Sequence, residues 1–186
     1  MIAPARAGVV LVPRHGGRCS LFAGGGQQVG SRGGDEVTVI YVDADACPVK
    51  EEALRVAERH GFAIAYVSNA WMRLPEGANV QRVVVAEGPD AADDWIAERI
   101  GAGDIAVTAD IPLASRCLKA GAQVVGPTGK PFTDANIGTA LAMRDLSRHL
   151  RETGESRGFN ASFTRQDRSR FLEALELAAQ RAKKGG

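Results

Sequence analysis

Two aspartates follow an apolar run near residue 40, and their type and spacing suit the binding of a divalent cation. Asp43 and Asp45 come directly after residues 37–42, a β-branched and aromatic run typical of a strand buried on both faces. Side chains two residues apart lie on the same side of an extended backbone. Two close carboxylates repel each other unless a cation lies between them, and Mg2+ prefers oxygen ligands.

Acidic residues recur after two further predicted strands, 80–85 and 104–108. The carboxyl ends of parallel strands share one edge of a sheet, so acids far apart in sequence are expected to converge there. A single aspartate in such a loop is more often a helix cap, and Asp90 could be one. Capping does not explain doubled acids after two separate strands. The predicted metal ligands are Asp43, Asp45, Asp90, Asp93, Asp94 and Asp110.

A carboxylate cluster of this kind has a use in phosphodiester hydrolysis. One or two Mg2+ or Mn2+ ions can orient a water, lower its pKa and neutralise charge on the phosphate. The candidate catalytic residues are Asp43, Asp45, Asp93 and Asp110. Ser68 and Asn69, at the end of the second predicted strand, could bind a phosphate or a metal-bound water, and a simple turn role is the alternative.

The elements that must position these acids alternate between strand and helix. After the first strand, a helix is predicted from Cys47-Pro48 onward, followed by strands at 62–67, 80–85, 104–108 and 123–125, with helices at 90–100 and 112–120. This alternation predicts βαβ units in an α/β fold, with a mainly parallel central sheet covered by helices on both faces. The crossovers should be right-handed.

Two further helices are predicted beyond Pro131. Thr133 can cap a long helix that runs to about Arg151, with Ile137, Leu141 and Leu146 to Leu150 available for a core-facing stripe. Thr164 and Asp167 form a capping box for the last helix. This part of the chain is net basic, whereas residues 37–140 are net acidic. Its arginines could hold a nucleic-acid backbone or pair with acids on the body, and the candidates are Arg157, Arg165 and Arg168.

Composition predicts one globular domain at 37–182, with its C-terminal helical part at about 133–182, preceded by a flexible glycine-rich extension at 1–36. Translation from Val37 is a further hypothesis for this extension. No apolar run reaches the length of a membrane span, and no secretory signal is recognisable. Three cysteines without a CxxC pair are typical of the reducing cytoplasm.

A resemblance covers residues 37–177. The segments YVDADACPVKEEAL, VSNAW, GPDAADDWI, GDIAVTADIPLASRCLKAGAQVVGP, FTDANIGTAL and GFNASFTRQDRSRFLEAL resemble the YaiI/YqxD family of uncharacterised bacterial proteins. That family is grouped with PIN-like domains, which are three-layer sandwiches whose nuclease members hold divalent metal with acids at strand ends. The resemblance implies that Asp43 matches the first acid, Asp93 the middle acid, and Thr108-Ala109-Asp110 the T-x-D element. PIN nucleases often have Glu at the middle position, and the basic C-terminal section has no PIN counterpart.

Three functions follow as hypotheses. The first is a cytoplasmic Mg2+- or Mn2+-dependent nuclease acting on RNA or structured nucleic acid. The second is a PIN-like module that binds nucleic acid or protein without cleaving it. The third is a haloacid-dehalogenase-type phosphatase with Asp43 as nucleophile and Asp45 as acid/base, although Cys47 stands where that pattern has Thr or Val.

Overall fold

Short β-branched runs that are buried on both faces form the centre of the protein. The computed structural model describes residues 10–11, 37–45, 47–85, 88, 90–152 and 163–184. The strands are β1 (Val10–Leu11), β2 (Val39–Asp43), β3 (Ala63–Ser68), β4 (Val80–Val84), β5 (Ile105–Val107), β6 (Gln123–Val125) and β7 (Pro131–Phe132). The helices are α1 (Lys50–His60), α2 (Ala91–Ala97), α3 (Ile111–Lys119), α4 (Asp134–Glu152) and α5 (Arg165–Lys184).

Within the described residues, the strands form one sheet in the order β1-β4-β3-β2-β5-β6-β7. The five inner strands are parallel, and β1 and β7 pair antiparallel at the two edges. From β2 the chain builds outward through β3 to β4, and then returns to the other side of β2 with β5 and β6. The boundary between β2 and β5 is therefore the topological switch point, where ligand crevices open in sheets of this type.

Helices cover both faces of the sheet. Ile40 and Val42 belong to one apolar cluster with residues of α1 and α5, and Tyr41 belongs to a second cluster with residues of α2 and α3. Successive side chains of β2 thus enter opposite cores, as period-two alternation requires. The predicted three-layer α/β arrangement with a mainly parallel sheet and C-terminal helices is confirmed. None of the described helices is both long and apolar enough to cross a membrane.

The two C-terminal helices differ in burial. Phe171 and Leu175 of α5 are fully buried in the cluster shared with α1. The capping box that begins α5 is formed as predicted, with Thr164 Oγ1 accepting from Asp167 N at 3.2 Å and Asp167 Oδ2 accepting from Thr164 N at 2.9 Å. By contrast, the core-facing stripe predicted for α4 is formed only at its start. Ile137 packs against a core cluster, whereas Leu146 is 51% exposed.

Element boundaries agree with the predicted ones within a few residues, and three features differ. The helix after β4 is shorter than predicted, since it ends at Ala97 and not at residue 100. Strands β1 and β7 were not predicted. The predicted extension of residues 1–36 lies outside the described residues, apart from β1.

A tight turn between β6 and β7 fixes the position of α5. Gly126 N donates to Lys130 O at 2.8 Å, and Gly129 N donates to Gly126 O at 2.9 Å. Gly129 has a φ of +81°, and a Cβ at this position would lie 2.5 Å from the carbonyl carbon of Arg170. Glycine is required here for its backbone conformation and for the close approach of the turn to α5.

We expect Gly129→Ala to destabilise the protein by at least about 2 kcal/mol, since left-handed strain is added to a clash with backbone that cannot move aside. Gly103→Ala is the matched control, because Gly103 has a φ of +86° and a Cβ added there would meet nothing within 4 Å. That variant should lose about 1 kcal/mol from strain alone. Free energies of unfolding from urea titration make the comparison, and equal losses would contradict the packing argument.

Candidate functional site

The hydroxyl of Thr108 connects two acids at the switch point. Val42 of β2 pairs with Val107 of β5, so the residues that follow them are neighbours at the carboxyl edge. Thr108 Oγ1 donates to Asp43 Oδ2 at 3.0 Å and accepts from Asp110 N at 2.9 Å. Thr108 and Asp43 are both buried. The single hydroxyl proton is therefore used to hold Asp43, and Thr108 positions the acids.

Asp110 is both a member of this group and the N-cap of α3. Its Oδ1 accepts from Leu113 N at 2.8 Å, which is the usual N-cap bond, and Pro112 occupies the first turn, where a missing N–H costs no hydrogen bond. Capping uses one carboxylate oxygen of Asp110 and thereby fixes the position of the other oxygen.

Asp45 lies at the same edge and is held by the end of β3. Its Oδ2 accepts from Asn69 N at 2.8 Å. The side-chain oxygen of Asn69 is buried and has no hydrogen-bond donor among the described residues, and an amide oxygen is a suitable ligand for a hard cation. Ser68 differs from Asn69, because its hydroxyl donates to Ala70 O at 2.8 Å and its side chain is buried.

Helix α2 brings a further acid, Asp93, into a cavity that Asp110 also lines. The pKa of Asp93 is raised to about 6, first by burial and then by the negative charges of Asp110, Asp43 and Asp90, against the lowering effect of Arg116. Asp90 is exposed at the N-cap position of α2, and its side chain makes no capping bond.

The pKa of Asp43 is also raised. Burial is the main cause, and the charges of Asp45 and Asp110 add to it, while the hydrogen bond from Thr108 opposes the shift. Of the predicted acids, Asp43 and Asp110 are joined through Thr108, and Asp93 lines one cavity with Asp110. Repulsion among their charges contributes to the raised pKa values of Asp43 and Asp93. Such repulsion is relieved by a proton or by a cation.

A cavity of about 340 Å3 opens between α2, α3 and α4. Its acids are Asp90, Asp93, Asp94 and Asp110, and its basic residues are Arg116 and Arg144. Arg116 Nη1 donates to Asp94 Oδ1 at 2.7 Å, so Asp94 is directly paired with a basic residue. The two arginines were not predicted, since nothing in the spacing of α3 and α4 marks them as neighbours of this cavity.

The donor set fits a hydrated hard cation. Across the described residues, no three His, Cys, Asp or Glu side chains are close enough to form a ready cage for one ion. Mg2+ commonly keeps several waters and takes only one or two carboxylates directly. Asp43 and Asp93, which repel each other in the free protein, together with the unpartnered oxygen of Asn69, supply oxygen ligands of the appropriate kind.

The remaining candidates lie elsewhere. Arg168 Nη1 donates to Glu52 Oε1 at 2.7 Å. The two alternatives for this arginine were contact with nucleic acid and pairing with an acid on the body, and the structure shows the pairing. Arg165 is exposed at the start of α5, and Arg157 lies outside the described residues. Cys47 is buried, and burial raises its thiol pKa to about 11, so the thiol is protonated at neutral pH.

In protein freed of divalent ions by EDTA, we expect Asp93→Asn to increase stability relative to the wild type at about pH 8 and much less at about pH 4. The pKa of Asp93 is 3.8 in the unfolded chain and about 6 in the folded protein. The contribution of Asp93 to the free energy of unfolding is therefore fully present below pH 3.8 and is lost as the pH rises through about 6. Asparagine avoids this loss. Thermal unfolding across the pH range measures the difference.

Asp94→Asn is the control for this pH series. Asp94 is the next residue along α2 and is paired with Arg116, so its removal should give no gain that grows with pH. The repulsion argument is refuted if the two variants follow the same pH course.

Comparisons with known proteins place the chain in a family. Residues 41–181 match the family described as "Uncharacterized BCR, YaiI/YqxD family". A UPF0178 protein of Rhizobium etli is 60% identical over 145 residues, which are 78% of this chain and 94% of the relative. A UPF0178 protein of Rhizobium meliloti is 60% identical over 146 residues, which are 78% of this chain and 100% of the relative.

A UPF0178 protein of Rhodospirillum rubrum is 58% identical over 147 residues, which are 78% of this chain and 98% of the relative. No solved structure is significantly similar to the chain. The match to the family extends from β2 into α5 and so includes every acid described above. The chain belongs to the YaiI/YqxD family.

Proposed function

We propose that the protein is a divalent-metal-dependent hydrolase that cleaves phosphodiesters of RNA or structured nucleic acid in the cytoplasm. The observation that carries the proposal is the group of acids at the carboxyl edge of the sheet, where Thr108 joins Asp43 to Asp110 through hydrogen bonds and Asp93 lines the same cavity as Asp110. Keeping these buried and half-buried carboxylates near one another is unfavourable in the free protein. Binding of a cation removes this cost, which is the physical reason to expect one here.

In this proposal each acid has a distinct role. Asp43 and Asp93 would hold Mg2+ or Mn2+, and Asp45 and Asp110 would bind water molecules around it. A bound ion of this kind would supply an activated water and neutralise charge on the phosphate. Asp90 lines the cavity together with Asp94 and would add negative potential for the ion.

The other residues of the site orient these acids or receive the phosphate. Thr108 holds Oδ2 of Asp43, and would fix the orientation of this carboxylate as outer-shell partners of metal ligands do. Arg116 and Arg144 line the cavity and are the positive groups available to a phosphate that enters it. The family description names no activity, so the function rests on the site and on the resemblance to PIN-like nucleases.

A second candidate function is supported by one observation. Because no ready three-ligand cage exists among the described residues, the same fold could bind nucleic acid without cleaving it. The two functions differ in whether product is formed.

Incubation with labelled RNA and DNA tests the first function. We expect the wild type to form product with Mn2+ or Mg2+ and none in EDTA, and Asp43→Asn and Asp93→Asn to slow cleavage by at least about 100-fold, since loss of even an outer-shell group costs up to that factor. Asp134→Asn is the control, because Asp134 is exposed in the first turn of α4 and does not line the acidic cavity.

Calorimetric titration with Mn2+ accompanies the assay. Heat that is present in the wild type and lost in Asp43→Asn, without any product on the gel, would favour the second function. The metal-dependent function would be refuted if the wild type gave no heat with Mn2+ and formed no product.

A further inference from the structure

A second and larger concavity opens at the same edge of the sheet, on the side of α1 and α5. This groove has a volume of about 1080 Å3 and is formed by the start of α1, the segment after β3 and the start of α5. The residues used below are Lys50, Glu52, Trp71, Arg73, Arg82 and Arg168, all of which line it. None of the acids in the cavity beside α2 lines the groove.

Trp71 is the most exposed large apolar side chain in the described part of the chain. It is 75% exposed, whereas Trp95 is 7% exposed and is covered by Arg99, whose guanidinium carbon lies 4.3 Å from the ring centroid. An open indole ring at the rim of a groove offers a flat surface on which a nucleobase can stack. Its neighbour Arg73 is also exposed.

The floor of the groove contains a buried carboxylate that is only half satisfied. Glu52 is 5% exposed, and its Oε1 accepts from Arg168 at 2.7 Å. Its Oε2 is buried and has no hydrogen-bond donor among the described residues. An unsatisfied buried carboxylate oxygen is unfavourable, and an amino or imino group of a base, or a sugar hydroxyl, would supply the missing donor.

The segment that carries Trp71 is held in place by the sheet. Arg82 of β4 donates from Nη2 to Leu74 O at 2.9 Å, and Leu74 is itself buried. Four basic and three acidic side chains line the groove. The basic ones include Lys50, at the first position of α1, and Arg73, which share the groove lining with Trp71. Aromatic surface, positive charge and an unsatisfied acceptor are the three features that recognise a nucleotide within a strand.

The groove and the acids are joined by a short piece of backbone. Asn69, whose N–H holds Asp45, is two residues before Trp71, and Cys47, which also lines the groove, is two residues after Asp45. A strand lying in the groove would therefore be led toward the metal-binding edge.

We propose that this groove binds single-stranded nucleic acid, with a base stacked on Trp71, phosphates beside Lys50 and Arg73, and a hydrogen-bond donor of the nucleotide on Glu52. The inference builds on the proposed hydrolase function, for which it provides the substrate-binding surface. Binding itself requires no metal and no cleavage.

Intrinsic fluorescence of the Trp95→Phe variant tests the proposal, because Trp71 is then its one tryptophan. Trp95 Nε1 is buried without a partner among the described residues, so phenylalanine leaves no donor unsatisfied. With EDTA present and at low salt, single-stranded RNA and DNA oligonucleotides should quench the emission saturably. The affinity should fall as salt rises, as expected when phosphates are neutralised by Lys and Arg.

The fluorescence anisotropy of a labelled single strand measures how tightly each variant binds it. Trp71→Ala should weaken binding by at least about fivefold, the lower limit for loss of one stacked base, and Trp71→Phe should restore part of the loss. Glu52→Gln and Arg73→Ala should also weaken it. Arg55→Ala is the matched control, because Arg55 is exposed on α1 outside the groove and should leave binding unchanged.

The inference is overturned if single strands leave the emission of Trp71 unaltered, if Trp71→Ala binds as well as the wild type, or if duplex of the same length or an acidic peptide binds more tightly. Metal-free binding without cleavage would support the groove and refute only the hydrolase function. If the Trp71→Ala variant cleaves and binds single strands as well as the wild type, the hydrolase function would be supported and the groove refuted.

Discussion

The hydroxyl of Thr108 is the interaction on which the rest of the acidic edge depends. It is the one group that contacts both central acids, since it donates to Asp43 and accepts from the backbone of Asp110. Because Asp110 also caps α3, the orientation of that helix, the end of β5 and the buried carboxylate of β2 are set together. A residue without a hydroxyl would leave a buried carboxylate short of a donor, which is costly.

Charge at this edge differs between two regions. The cavity beside α2 and α3 is lined by four acids and two arginines, whereas the groove beside α1 and α5 is lined by Trp71, four basic side chains and three acidic ones. Under the proposed function, a polyanion would be repelled by the cavity more than by the groove, and a cation bound in the cavity would reduce that repulsion.

The sequence was sufficient to predict the parallel sheet and the meeting of Asp43, Asp93 and Asp110, because strand ends of a parallel sheet must share an edge. It was insufficient for α4, since a stripe of leucines specifies an apolar face without specifying what lies opposite it. The sequence also did not predict that Thr108 would join two acids or that Trp71 would be exposed. The partner of Thr108 is 65 residues away, and a lone tryptophan in a loop gives no sign of its exposure.

The ends of the sheet have a consequence for self-association. In the part of the chain that the structure describes, both edge strands are only two residues long and run antiparallel to the inner strands. The strand β7 begins with Pro131, which has no N–H to offer. Short edges with few unpaired backbone groups are poor templates for an incoming strand, so the long parallel core is shielded from growth into an extended intermolecular sheet.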